Sequence, residues 1–404
     1  MNPIIVVGGG PAGLMAADVV SAAGLPVVVF ERMPTLGRKF LMAGRGGLNL
    51  TSAEPVETLL TRYGPAAEFL AKAVAAFPPD ALIAFATKLG QETFVGSSGR
   101  VFPKAMKASP LLRAWLARLA ERNVEIRVRQ TWVGLDHEGR ALFAGPDGTQ
   151  TAVAASAIVL ALGGGSWPRL GSDGGWVDTV ANMGARVVPL SAANAGLEIA
   201  WSRHFREGFA GHPLKRIAVG AGGALLRGEA VVTARGLEGG ALYALNPVLR
   251  AALAGGSAQL TIDLRPDLDL ATLAERLRRR KDKLSVSSWL RRTVQLSPAG
   301  IALLREVAGA VLPEDRFELA RLIKAVPLPV TGLGSLDRAI SSAGGIALEE
   351  IDSSLMLKSH PGVFIAGEML DWEAPTGGYL LQGCFATGHA AGQGVVRYLS
   401  SKAH

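Results

Sequence analysis

The chain has 404 residues, of which 49% are hydrophobic and 19% charged, with a formal net charge of +8. That length suits roughly two to three domains, and the balance of apolar and charged residues excludes a disordered or low-complexity chain. A single cysteine, Cys384, excludes both an intrachain disulfide and a two-thiol redox relay, and suits a reducing cytoplasm.

The first element is a predicted strand, Pro3 to Val7, which runs into Gly8-Gly9-Gly10-Pro11-Ala12-Gly13 and then a predicted helix from Leu14. A second apolar run, Val27 to Phe30, ends in Glu31. Together these form a βαβ unit with Gly-x-Gly-x-x-Gly at its turn. Gly8 allows the tight exit from the strand, Gly10 lets a pyrophosphate approach the backbone, and Gly13 lets helix and strand pack closely. The helix N-terminus supplies free N–H groups for the phosphates. Glu31, with Arg32 beside it, stands where a ribose hydroxyl needs an acceptor and disfavours a 2′-phosphate. The unit predicts an adenine dinucleotide site.

Gly37-Arg38-Lys39 and the stretch from Gly44 through Gly47 and Asn49 to Thr51 are rich in Gly and cations, and read as a loop lying along a ligand. Helices are predicted over 56–62, 65–76, 79–89 and 110–122, the last opened by Ser109-Pro110. Strands follow over 124–129, 131–136 (with Val133), 141–144 and 149–152, with Asp147-Gly148 as a hairpin turn. Residues 158–162 read as a buried parallel strand running into Gly163. Short strands and Gly-rich links then occupy 194–265, and helices 269–325. Gly220-Ala221-Gly222 begins like a second dinucleotide turn, but Leu225 stands where its third glycine is needed. A strand over 363–366 ends in Gly367-Glu368, and Gly377-Gly378-Tyr379 opens a last helix to about Ser400. An acid at that strand tip suits a ribityl chain, and the helix N-terminus suits the negative charge of a reduced flavin. The cofactor expected is therefore FAD.

These residues, with Leu162 through Pro168, Gly171-Ser172, Gly344-Gly345 and Ala366 through Asp371, resemble the YhiN/BaiN-like bacterial NAD(P)/FAD-dependent oxidoreductases. The resemblance implies an α/β flavoprotein with non-covalent FAD. Its Rossmann-type FAD-binding domain is built from both chain ends, 1–189 and 330–404, with an inserted β-rich substrate domain (190–266) and a small helical domain (267–329). Many relatives carry Arg-Cys-Asn after the Arg-Lys pair, where this chain has Gly47-Leu48-Asn49, so no role of that cysteine transfers.

The expected function is hydride transfer between flavin N5 and either a small organic substrate or NAD(P)H. With no second dinucleotide motif, either a nicotinamide docks transiently as donor or the substrate itself reduces the flavin, as in a small-amine oxidase releasing hydrogen peroxide. Arg45, Asn49, Trp167, Asp371, Trp372 and Tyr379 are candidates for the substrate face, and no catalytic residue is assigned. His and Cys are too scattered for a metal site. The basic run Arg276, Arg278, Arg279, Arg280, Lys281 and Lys283, followed by Trp289, Arg291 and Arg292, reads as a solvated helix face. An RNA-associated flavoprotein or redox-sensing module is the alternative that it raises, and a small-molecule partner is expected rather than nucleic acid. No signal peptide is visible and the longest apolar stretch, about 152–165, is short of the ~20 residues a bilayer needs. The chain is expected to be soluble and cytoplasmic.

Overall fold

The computed structural model describes residues 1–278, 284–309 and 311–402. Arg279, Arg280, Lys281 and Lys283 of the basic run lie outside the described residues. The chain divides into two compact units, Met1–Ser191 with Ile340–His404, and Ala192–Ala339.

The first unit is built on a parallel sheet. Its strands are β1 (Ile4–Val7), β2 (Val27–Glu31), β3 (Glu125–Val128), β5 (Ala157–Leu160) and β6 (Val363–Ile365). They lie in the order β6-β5-β1-β2-β3, every pair parallel. β1, β5 and β6 are buried along their whole length, which is why they read as unbroken apolar runs rather than alternating ones. The strand β4 (Thr131–Leu135) pairs with Ala141–Ala144, and that strand with Gln150–Val153, in a separate antiparallel sheet.

Helix α1 (Pro11–Ala22) leaves β1 through the glycine turn. Proline at its first position loses nothing, because that N–H has no intrahelical acceptor. Helix α2 (Arg38–Ala43) follows β2, and α3 (Tyr379–Lys402) is the long final helix. α3 lies directly on α1, and its glycines set the distance. A Cβ on Gly388 would fall 2.2 Å from the Ala12 carbonyl oxygen, and one on Gly392 would fall 2.8 Å from Val19 Cβ. The other side of α1 is held by the helix Ala108–Glu121, through the buried carboxylate of Asp18. Trp115 Nε1 (3.0 Å), Arg118 (2.6 Å) and Arg122 (3.0 Å) all donate to it. That helix starts at Ala108 with Lys107 at its cap position, so Ser109-Pro110 sits inside the first turn rather than capping it.

The second unit carries a seven-stranded antiparallel sheet. Its strands Pro213–Ala221 and Ala224–Val232 are joined by Gly222-Gly223, both with positive φ (56° and 84°), which is the geometry of a two-residue hairpin turn. The glycines at 220–222 therefore serve a hairpin and not a phosphate turn. Val326–Val330 pairs with Ala258–Asp263 at the sheet edge, where Pro327 and Pro329 are tolerated because an edge strand leaves one side unpaired. Helices within 270–324 pack on the same apolar core as this sheet: Leu273, Leu290 and Leu304 share it with Leu260 and Ile262. The chain returns to the first unit at Ile340.

Among the described residues no single helix is long and apolar enough to cross a membrane, and no group of three or more His, Cys, Asp or Glu is placed to hold a metal ion.

Candidate active site

The three glycines of the turn do different work. Gly8, at φ +106°, has no room for a side chain, because a Cβ would fall 2.2 Å from the Ala161 carbonyl oxygen. Gly13 is equally closed, since a Cβ would stand 2.0 Å from the oxygen of Gly8. Gly10 is open: a Cβ there would meet no atom within 4 Å. It lines a cleft of about 340 Å³ at the C-terminal ends of the parallel strands, where open α/β sheets bind ligands. Ala12 and Gly13 lie in the first turn of α1, whose N–H groups have no intrahelical acceptors. A cradle only glycine leaves open, at a helix N-terminus, suits a pyrophosphate.

Glu31, at the tip of β2, is fixed on both oxygens. Gly9 N–H donates to Oε2 and Met33 N–H to Oε1, each at 2.8 Å. Each carboxylate oxygen keeps a second lone pair for a ligand hydroxyl. Next to it, Arg32 pairs with Asp173 at 2.6 Å and donates to the Pro168 carbonyl at 3.3 Å, tying β2 to the segment 166–176. At the other end of the cleft, Lys39 Nζ donates to Ser166 Oγ and to Glu368 Oε2, both at 2.7 Å. The opposite oxygen of Glu368 accepts the Ser342 N–H at 3.2 Å. This ion pair joins α2 to the end of β6, bringing residues 329 positions apart into one network.

Gly8, Gly10, Pro11, Ala12, Glu31, Arg32, Arg38, Lys39, Gly163, Gly367 and Glu368 all line this cleft. Ser172 of the Gly171-Ser172 motif lines it as well, and Gln130, Thr131, Trp132, Asp173 and Trp176 line it without being apparent from motifs. Buried atoms without a hydrogen-bond partner gather here: Arg32 Nε, Arg38 Nε, Trp132 Nε1 and Ser172 Oγ. Unpaired buried polar groups are costly, and four of them around one cleft fit a large polar ligand. Cys384 lines the same cleft, and burial, then the charge of Glu368, push its thiol up to about 12. It is a neutral thiol.

Val133 does not line the cleft. It is exposed on β4, beside Trp132, which is buried. Gly44, Gly47, Asn49, Gly377, Gly378 and Tyr379 do not line it either, but most meet in an adjoining cluster. Gly378, at φ +95°, lies against the backbone of Thr51, where a Cβ would fall 2.5 Å from Thr51 Cα. Thr51 Oγ1 donates to Gln382 Oε1 at 2.8 Å, locking that loop to the start of α3. Gly47 packs on Met106 and Gly44 on Ala108. Asn49 Oδ1 is buried without a partner. Tyr379 donates its hydroxyl to Glu54, which also pairs with Arg62 at 2.7 Å, and Tyr63 donates to the Tyr379 carbonyl at 2.9 Å. Burial works to raise the Glu54 carboxyl, but hydrogen bonds from Arg62, Tyr379 and Ser52 outweigh it and hold the group below its ordinary range. Burial and then the Glu54 hydrogen bond push the Tyr379 hydroxyl up. Of the other substrate-face candidates, Trp372 is a core residue: it is 3% exposed, donates to the Gly367 carbonyl at 2.8 Å and meets Tyr63 edge-on. Arg45, Trp167 and Asp371 are absent from the cleft wall.

A family model described as the HI0933-like protein Rossmann domain matches residues 2–394. The chain belongs to this family. The HI0933-like chain is 25% identical over 410 residues to the 3-dehydro-bile acid delta(4,6)-reductase of Clostridium scindens, covering 97% of this chain and 98% of that one. It is 24% identical over 414 residues to the ribosomal RNA dihydrouridine synthase of Escherichia coli, covering 98% of each. Its fold is that of a 3-ketosteroid delta1-dehydrogenase from Sterolibacterium denitrificans (TM-score 0.54, 13% identity, 98% of this chain and 99% of that one). A flavocytochrome c3 fumarate reductase also shares it (TM-score 0.53, 16% identity, 98% of this chain and 78% of that one). The YhiN/BaiN-like resemblance read from the motifs agrees with these findings. As an HI0933-like protein, the chain is an FAD-dependent oxidoreductase.

Proposed function

We propose that this protein reduces a ring carbon–carbon double bond conjugated with a carbonyl, using FAD that a nicotinamide dinucleotide recharges. The observation that carries the reading is the pair of full-length relatives. One is named for reducing the delta(4,6) unsaturation of a 3-dehydro-bile acid, the other for making dihydrouridine, which is uridine reduced across a ring double bond. The substrates differ widely, and the chemistry they share is addition of a hydride to one carbon of an activated alkene and a proton to the other.

Bound FAD supplies hydride transfer. The chain's residues supply position and electrostatics. The open Gly10 and the first turn of α1 would hold the pyrophosphate, Glu31 the adenosine ribose, and Glu368, braced by Lys39, the ribityl chain. The first turn of α3, with Gly377, Gly378 and Tyr379, would set partial positive charge against the reduced ring. No thiol relay takes part, because Cys384 is the chain's one cysteine and is held protonated. Among the described residues there is one parallel Rossmann-type sheet and no second one for the donor, which favours a transient nicotinamide site.

The test is anaerobic and has two halves. NADH or NADPH should bleach the purified yellow protein, and a 3-keto-4-ene steroid, cyclohexenone or a uridine-containing RNA should restore the colour with its double bond saturated. Bleaching by small amines, with no reoxidation by any activated alkene, would overturn the reading in favour of an amine oxidase.

A further inference from the structure

The second unit holds a cavity of about 450 Å³ that the proposed reaction does not use. Four cations line it: Lys215, Arg216, Arg265 and Arg291. They come from three separate elements: the strand Pro213–Ala221, the residues just after the strand Ala258–Asp263, and the helix Val286–Val294.

Lys215 and Arg216 are consecutive in a strand, and consecutive strand residues ordinarily point to opposite faces. Here both reach the same cavity. The ladder shifts register between Leu214 and Ile217, and Arg216 takes a left-handed φ of 53° within that irregularity. Bulges of this kind re-aim side chains, and strained non-glycine residues concentrate at functional sites.

The nearby acids are engaged elsewhere. Asp267, the one acid in the lining, pairs with Arg227 at 2.5 Å, and Asp263 pairs with Lys324 at 2.5 Å. Lys215, Arg216 and Arg291 have no ion-pair partner among the described residues. Arg265 is half-buried, and burial followed by the like charges of Arg216 and Arg276 pulls its guanidinium below the ordinary value, against a weaker opposing pull from Asp267 and Asp263. Its one hydrogen bond to the cavity wall is to the Gln295 carbonyl, at 3.3 Å. The helix Pro298–Ala308 begins at the same wall, which adds to the positive potential. Four cations against one lining acid leave the cavity net positive, and arginine forks match phosphate oxygens in pairs.

We propose that this cavity binds the phosphate group of a nucleotide, carried either by a free nucleotide or by a polynucleotide chain. The FAD-loaded protein is titrated calorimetrically with pyrophosphate, with NADP⁺ and with a short single-stranded RNA, at low and high salt. Binding should weaken as salt rises. Arg216→Gln combined with Arg291→Gln should weaken it at least ~10-fold, with flavin content and melting temperature unchanged. Lys215→Gln with Arg291→Gln serves the same purpose if the bulge does not tolerate glutamine. Competition between pyrophosphate and NADP⁺ assigns the site to free nucleotides, and binding of RNA alone assigns it to a polynucleotide. The proposal is overturned if no probe binds more tightly than ~10 mM, or if the cavity variants bind as wild type. It also fails if Arg206→Gln with Arg235→Gln, exposed cations outside the cavity, weakens binding equally.

Discussion

Gly10→Val separates cofactor binding from folding, because the space around this glycine differs from that around its neighbours. At Gly10 a Cβ meets nothing within 4 Å, and its φ of −86° is open to any residue. The substitution should therefore leave the unliganded fold within about 1 kcal/mol of wild type. The added branch, however, occupies the approach to the first turn of α1. If it displaces two charge-assisted phosphate hydrogen bonds of roughly 1.5–3 kcal/mol each, FAD binding weakens by roughly 3–6 kcal/mol. That is about 150- to 25,000-fold in Kd. Gly13→Val is the contrasting control. Its Cβ would stand 2.0 Å from the Gly8 oxygen and 3.3 Å from Val6 Cγ1, so the turn itself must break. The assay is FAD titration of apoprotein by flavin fluorescence, with melting curves of both variants recorded without FAD, since bound ligand raises apparent stability. A Gly10→Val protein that binds FAD within about threefold of wild type would refute the assignment of this turn to the pyrophosphate.

Cys384→Ser should keep its anaerobic flavin reduction rate within a few-fold, since a thiol held protonated is neither nucleophile nor base; a loss of ~100-fold with FAD still bound would put the thiol in the chemistry. Lys39→Met strands the Glu368 carboxylate, whose side chain is only 12% exposed, and should cost about 2–3 kcal/mol in urea unfolding. Adding Glu368→Gln should recover part of that loss, and a double mutant as unstable as the sum of the singles would show that the pair is not coupled. His389 is half-buried against Phe77, with ring centroids 4.9 Å apart, and burial lowers its pKa from 6.5 despite an opposing pull from Asp18. The unfolded chain therefore takes up this proton first, and stability falls as pH drops through 6.5. His389→Phe should flatten the change in urea midpoint between about pH 7.5 and 5.5; an unchanged slope would mean that another group carries it.

Features set by neighbours in sequence were legible before the structure. The strands at 3–7, 27–30, 124–129, 158–162 and 363–366 are the five that form the parallel sheet. The central ones read as unbroken apolar runs because they are buried on both faces, while the edge strand at 124–129 alternates and is only half-buried. Glu31 and Glu368 stood out as acids ending such strands, and both line the cleft. What escaped depends on partners distant in sequence. Asp173 matters through Arg32, 141 positions away, and nothing in its own surroundings marks it. Trp132 was missed for its neighbour Val133, because alternation along a strand gives adjacent residues opposite surroundings, and a one-residue error selects the wrong side. The glycines at 220–222 show the reverse hazard. A Gly-rich turn serves a hairpin as readily as a phosphate, and only the flanking elements decide which.

The contact between α1 and α3 bears on how the protein is made. The helix that shapes the phosphate turn leaves the ribosome well before residues 192–339 do. The glycine-lined face of α3 that it rests on, and the strand β6 beside β5, emerge only after residues 192–339 have been translated. Those residues carry their own apolar core and have what they need to fold first. The nascent Rossmann half must wait through that interval with the apolar face of α1 uncovered. Flavin capture thus becomes a late event in biogenesis, and a stalled or truncated translation product would present an uncovered sheet rather than a weakly active enzyme.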